Sequence, residues 1–73
     1  MNRGRGVSLV RLLKMARELE RSRYRTIHGL ASTYAVSSRT IRRDLIVLSE
    51  AGLPVRCEFT DGKKRWWIER DWV

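Results

Sequence analysis

The sequence predicts an α+β domain: three short helices followed by a two-stranded antiparallel hairpin. Three observations carry this. Ser37 to Leu48 reads as a capped amphipathic helix, two shorter stretches with apolar residues at 3- and 4-residue spacing precede it, and Asp61-Gly62 sits between two strand-like runs. Ser37 is a good N-cap, because its hydroxyl accepts from a backbone N–H with no partner in the first turn. Ile41, Leu45 and Leu48 follow at i, i+4 and i+7 and share one face. With Ile41 at zero on a helical wheel, Arg42 falls at about 100°, Arg39 at about 160° and Arg43 at about 200°. The side opposite the core therefore carries three guanidiniums, edged by the hydroxyls of Ser38 and Thr40. Such a face fits a DNA major groove, where the arginine fork matches the guanine edge or bridges phosphates. The alternative is an ordinary solvated basic face. Ala51-Gly52 and Pro54 end the helix, which places it at about residues 38–51.

Ahead of it, residues 1–7 hold two glycines and two arginines without periodicity and read as a flexible basic arm. Arg3 and Arg5 would lie along phosphates or in a minor groove if the arm is more than a frayed terminus. Ser8 is the expected cap of the first helix, with Leu9, Leu12, Leu13, Ala16 and Leu19 as its apolar stripe. Residues 21–25 read as a basic loop with Tyr24 packed beneath it. Thr26 caps a short second helix running to about Tyr34, with Ile27, Leu30, Ala31 and Tyr34 inward. Its first turn lacks acid, which suits approach to phosphates, and Gly29 weakens it by about 1 kcal/mol relative to alanine. His28 is expected to be a surface or phosphate-contacting imidazole rather than a catalyst or metal ligand, since no partner is in sight. Ala35-Val36 joins the second and third helices with almost no spacer, which makes them a helix-turn-helix.

The register of the hairpin follows from its turn. Folding at Asp61-Gly62 opposes Thr60 to Lys63 and, further down, Val55 to Ile68. One face then collects Val55, Cys57, Phe59, Trp66 and Ile68, which makes Cys57 a small buried core residue. The other sets Arg56 against Trp67, a candidate cation–π pair, and Glu58 against Arg65. Lys63, Lys64 and Arg65 form a basic tip, and Trp72 and Val73 end the chain as apolar residues without an obvious place.

Seventy-three residues build one domain with a small core. The formal charge of +8 implies a polyanionic partner, nucleic acid before an anionic membrane surface. Thirteen of the sixteen basic residues are arginines, which favours phosphate and base-edge recognition, although a GC-rich genome gives the same bias. With Cys57 the only cysteine and His28 the only histidine, neither a disulfide nor a zinc site is expected. No cofactor or small-molecule ligand is expected either. The chain has no membrane-length apolar run and no signal-peptide segment, so a cytoplasmic, nucleoid-associated protein without membrane contact is expected. An enzyme is disfavoured: there is no paired carboxylate, nucleophile–base pair or phosphate-binding loop.

Three helices and a hairpin make a winged helix-turn-helix, and particular residues carry a closer likeness. Leu30-Ala31, Tyr34-Ala35-Val36-Ser37, Arg39-Thr40-Ile41-Arg42-Arg43-Asp44-Leu45, Leu48 and Ala51-Gly52-Leu53-Pro54-Val55 resemble the DNA-binding domain of DeoR-type bacterial regulators. The likeness is greatest to the subgroup in which this domain precedes a WYL ligand-sensing domain, and it spans about residues 8–70. The resemblance implies operator binding, with the third helix in the major groove and the wing on the backbone. That role falls on Ser38, Arg39, Thr40, Arg42 and Arg43, with Lys63, Lys64, Arg65, Thr26 and His28 flanking. Ala35 stands where such domains commonly have a turn glycine, which implies a different or strained turn. The wing is shorter and more basic than usual, and Trp66-Trp67-Ile68 replaces a Tyr-Arg-Leu-like ending. The chain stops after the wing, as an excised domain or a stand-alone protein would.

The expected partner is therefore double-stranded DNA. The alternative is a winged-helix adaptor for RNA or protein, since a fold does not fix a function. It rests on the exposed-looking Trp67, Trp72 and Val73, and the 71–73 tail is the expected contact with a second copy or an effector domain.

Overall fold

The computed structural model describes residues 3–22 and 25–70, with side chains for residue 6 and from residue 8 onward. Tyr24, Trp72, Val73 and the side chains of Arg3 and Arg5 thus lie outside what is described. Three helices, α1 (Arg3–Arg21), α2 (Ile27–Tyr34) and α3 (Ser38–Glu50), precede an antiparallel pair, β1 (Val55–Thr60) and β2 (Lys63–Ile68). This is the α+β winged helix-turn-helix the sequence predicts. Among the described residues no helix is long and apolar enough to cross a membrane.

The core is assembled from every element except β1. Met15 and Leu19 of α1 meet Leu30 and Ala31 of α2, Ile41, Leu45 and Leu48 of α3, and Ile68 of β2. Leu12, Ala16, Ile27, Tyr34, Val36, Leu53, Val55 and Trp66 close its edges.

On α1 the sequence carries two overlapping apolar stripes, and the structure buries the one that includes Met15. Leu9 and Leu13, expected inside, are 57% and 59% exposed, as is Val10 at 51%. The reason lies on α3. Arg11 Nε donates to Asp44 Oδ2 at 2.6 Å and Arg11 Nη2 to Asp44 Oδ1 at 3.2 Å. Arg11, Met15 and Leu19 succeed one another at i+4, so fixing Arg11 against α3 turns Met15 and Leu19 inward. Leu13 then lies roughly 160° away from Met15 and must face out. The helix also starts at Arg3, not after a cap at Ser8, so residues 3–7 are helical where an irregular arm was expected. Extending a formed helix adds a hydrogen bond per residue without a new nucleus, and serine is tolerated inside it.

Both helix-ending turns are left-handed. Beyond α3, Gly52 at φ 101° lets Leu53 N–H donate to Leu48 O at 3.2 Å and Gly52 N–H to Ser49 O at 3.0 Å. Beyond α2 the same pair of bonds forms, Val36 N–H to Ala31 O at 3.0 Å and Ala35 N–H to Ser32 O at 3.3 Å. There the left-handed residue is Ala35, at φ 54° and ψ 46°. The turn is the one a glycine would make, held at a steric cost.

In the hairpin all six pairs fall in the expected register, from Val55 with Ile68 to Thr60 with Lys63. Asp61 and Gly62 both take positive φ, as a tight two-residue turn requires. Depth is another matter. Cys57 is exposed, contrary to expectation, and Phe59 is 66% exposed. Strand alternation assigns a face, but the wing projects past the core beyond Val55, and among the described residues Cys57 and Phe59 stay exposed on that face. Trp67, expected at the surface, is buried, and its Nε1 donates to Glu69 Oε2 at 3.0 Å. Trp66 has Lys64 Nζ 5.7 Å from its ring centre, a cation–π contact along one strand. Arg25, expected in a plain loop, adds a third short strand position: its N–H donates to Trp66 O at 3.1 Å and its carbonyl accepts from Trp66 N–H at 2.7 Å. Its guanidinium pairs with Glu18 of α1.

Two measurements follow. Asp44→Ala strands the Arg11 charge beneath the α1–α3 contact and should remove about 3 kcal/mol of stability in urea denaturation. A loss below about 0.5 kcal/mol, the level of an ordinary surface change, would show that the pair does not hold the helices together. Ala35→Gly relieves the left-handed strain and should raise stability by about 0.5–1 kcal/mol despite glycine's extra unfolded-state entropy. A lowered denaturation midpoint would contradict the turn geometry.

Candidate nucleic-acid interface

The arginine face of α3 is built from its two ends and its one internal acid. At the start, Thr40 N–H donates to Ser37 Oγ at 3.1 Å, and the Ser37 and Thr40 hydroxyls lie 3.1 Å apart. This cap fixes the first turn, which contains no acid. Ile41, Leu45 and Leu48 are buried, so Arg39, Arg42 and Arg43 all stand exposed, with Ser38 and Thr40 half-buried along the edges. Asp44 is the remaining danger to an anion-binding surface. Three residues after Ile41, it falls between the apolar face and the flank. There Arg11 takes up both its oxygens, and the side chains of Arg11 and Asp44 are only 13% and 8% exposed. The hydrogen bond to Asp44 raises the Arg11 pKa above its ordinary value, against the opposing effect of burial.

Across from α3 the hairpin and the start of α2 complete a cleft of about 1010 Å³. Leu45, Ile27, Val55 and Trp66 line it with apolar surface. Arg42, His28, Lys63 and Lys64 bring four basic side chains into one rim, and Ile46 and Ser49 extend it along α3. Thr26 joins them as the α2 cap, accepting from Gly29 N–H at 3.0 Å. A Cβ on Gly29 would lie 3.0 Å from that same oxygen, so alanine's usual helical advantage is offset here by crowding of the cap. With no acid in the first turn of α2, its positive end is left uncompensated beside the rim.

Of the residues expected to bind, Arg42, Thr26, His28, Lys63 and Lys64 come together around the cleft, while Arg39 and Arg43 stand exposed on α3 outside its lining. Arg65 stands apart. It is half-buried, pairs across the strands with Glu58, and does not line the cleft. Arg3 and Arg5 begin α1, with side chains outside the described set. Sequence reasoning missed the part that Asp44 plays, and it read Ile46, with Val47, only as surplus apolar surface on the third helix. An acid on the inner half of an amphipathic helix was the available signal for the first, because such a group requires a cation from another element.

A family model for the DeoR-like helix-turn-helix domain matches residues 11–57, well over half of the chain. The matched span runs from the Arg11 that pairs with Asp44, through α2 and α3, to the first strand of the wing. No curated protein and no solved structure matches the chain. On the family match, the chain belongs to the DeoR-like helix-turn-helix domains, a DNA-binding family associated with transcription regulation.

Proposed function

We propose that this domain is a sequence-specific double-stranded DNA-binding module of a bacterial-type transcriptional regulator, related to those that precede WYL domains. In this reading α3 enters the major groove and the basic wing lies on the phosphate backbone. The observation that carries it is the sorting of charge on α3: three arginines are exposed while Asp44 is turned in and neutralised. The cleft supports it too, since a sugar–phosphate strand running between α3 and the wing would meet Arg42, His28, Lys63 and Lys64 together. Backbone contacts of this kind position the module, and side chains at base edges give it sequence preference. Doubling on repeated half-sites belongs to the same reading, because a single module buries only about 600–1,000 Å². A cytoplasmic, nucleoid-associated location follows from the proposed partner. The adaptor alternative loses one of its supports, because Trp67 is buried.

Arg39→Ala or Arg43→Ala should each cost about 1–3 kcal/mol of binding and relax preference at particular base pairs. Equal weakening on every duplex would make these arginines phosphate anchors instead of base readers. Replacing Lys63 and Lys64 together with alanine should weaken binding to all duplexes alike and flatten the dependence of log K on log salt by about two units. An unchanged slope would mean that the wing points away from the DNA.

A further inference from the structure

Ile46 stands 57% exposed on α3, about one turn beyond Arg42 and Arg43 and within the angular span of the arginine face. On the helical wheel it falls between Arg42 and Arg39, on the side away from Ile41. It follows Arg42 by four residues and Arg43 by three, so its side chain shares their surface. It also borders the cleft beside Arg42. The fold does not call for it: Ile41, Leu45 and Leu48 already supply the buried side of α3. A branched aliphatic side chain, stiff at its first torsion, is thus held in water among guanidiniums. Another protein's apolar surface is a poor occupant, because covering Ile46 would also desolvate Arg39, Arg42 and Arg43 without providing anions. A suitable partner is polyanionic and carries isolated apolar points at the depth the side chains reach. In the DNA major groove that point is the 5-methyl group of thymine.

We propose that Ile46 is a specificity-determining residue that reads thymine methyl groups, beyond the base pairs engaged by Arg39, Arg42 and Arg43. The proposal rests on the duplex-DNA reading given above. Arg39 and Ile46 are separated by about 10 Å along the helix, enough to address separate base pairs. Glu50, at the end of α3 and on the wheel directly opposite Ile41, would repel phosphates and marks where the helix leaves the groove.

Selection of bound sites from random duplex DNA, with the wild-type protein and with Ile46→Ala, tests this. Wild type should enrich thymine at one or two positions, and Ile46→Ala should lose that preference while keeping the others. Replacing a selected thymine by deoxyuridine, which removes only the methyl group, should lower wild-type affinity about fourfold, the factor for one methyl withdrawn from water. The same replacement should leave the affinity of Ile46→Ala unchanged. Equal affinity of wild type for thymine and deoxyuridine duplexes, or identical site preferences in the two proteins, would overturn the proposal while leaving duplex binding intact. A sharply lower melting temperature for Ile46→Ala would assign the residue to the fold and overturn it as well. Failure of the wild-type protein to retain any duplex would overturn the DNA reading itself, and this inference with it.

Discussion

The ion pair between Arg11 and Asp44 is the contact on which the arrangement of this small domain depends. It joins the first helix to the third with two hydrogen bonds from one guanidinium, in a setting from which water is nearly excluded. Its geometric effect is to choose the rotation of α1, and so to commit Met15 and Leu19 to the core. Its electrostatic effect is felt on α3. Apart from Glu50 at its last position, Asp44 is the only acid in that helix. Neutralised from behind, it leaves the outer face to Arg39, Arg42 and Arg43. One interaction thus ties the packing of the domain to the sign of its exposed surface.

Where structure follows from neighbours in sequence, the sequence was legible. The Ser37 cap, the stripe of Ile41, Leu45 and Leu48, and the Gly52 terminus are all signals within one helix, and α3 came out within a residue of its expected span. The hairpin register followed from a two-residue turn, because a turn type fixes every pair beyond it. Features decided by another element were not legible. The stripe on α1 was read with Leu9 and Leu13 where the core takes Met15, and the buried side depends on contacts with distant segments, Asp44 among them. Cys57 and Phe59 were given their face correctly but not their depth, since parity along a strand says nothing of how far the core extends beneath it. Trp67 and Arg25 were misread for a related reason: the base of the hairpin is covered by α1 and by a single bridging residue, neither of which leaves a period in the sequence.

The candidate site shows the same division. That Arg39, Arg42 and Arg43 share a face is a property of one helix and could be read directly. The cleft requires α2, α3 and both strands, and the sequence offered only basic residues scattered over them. What binds these elements into one surface is the pair of left-handed turns after α2 and α3. The first keeps α3 close behind α2, even with Ala35 in place of a glycine, and the second returns the chain into β1 across from Arg42. The helix starts that meet this surface carry no acids, so their backbone dipoles add to the side-chain charge. A formal charge of +8 on so short a chain is self-repelling, and a polyanion laid against this side relieves it.

Base reading by the exposed face of α3 in the major groove is tested most directly by methylation interference on a bound duplex. Dimethyl sulfate marks guanine N7 in the major groove and adenine N3 in the minor groove, so one experiment reports on both. N7 methylation should abolish binding over a short run of neighbouring base pairs, those facing Arg39 to Ile46. Interference confined to adenine N3, with N7 methylation tolerated throughout, would contradict major-groove reading by α3.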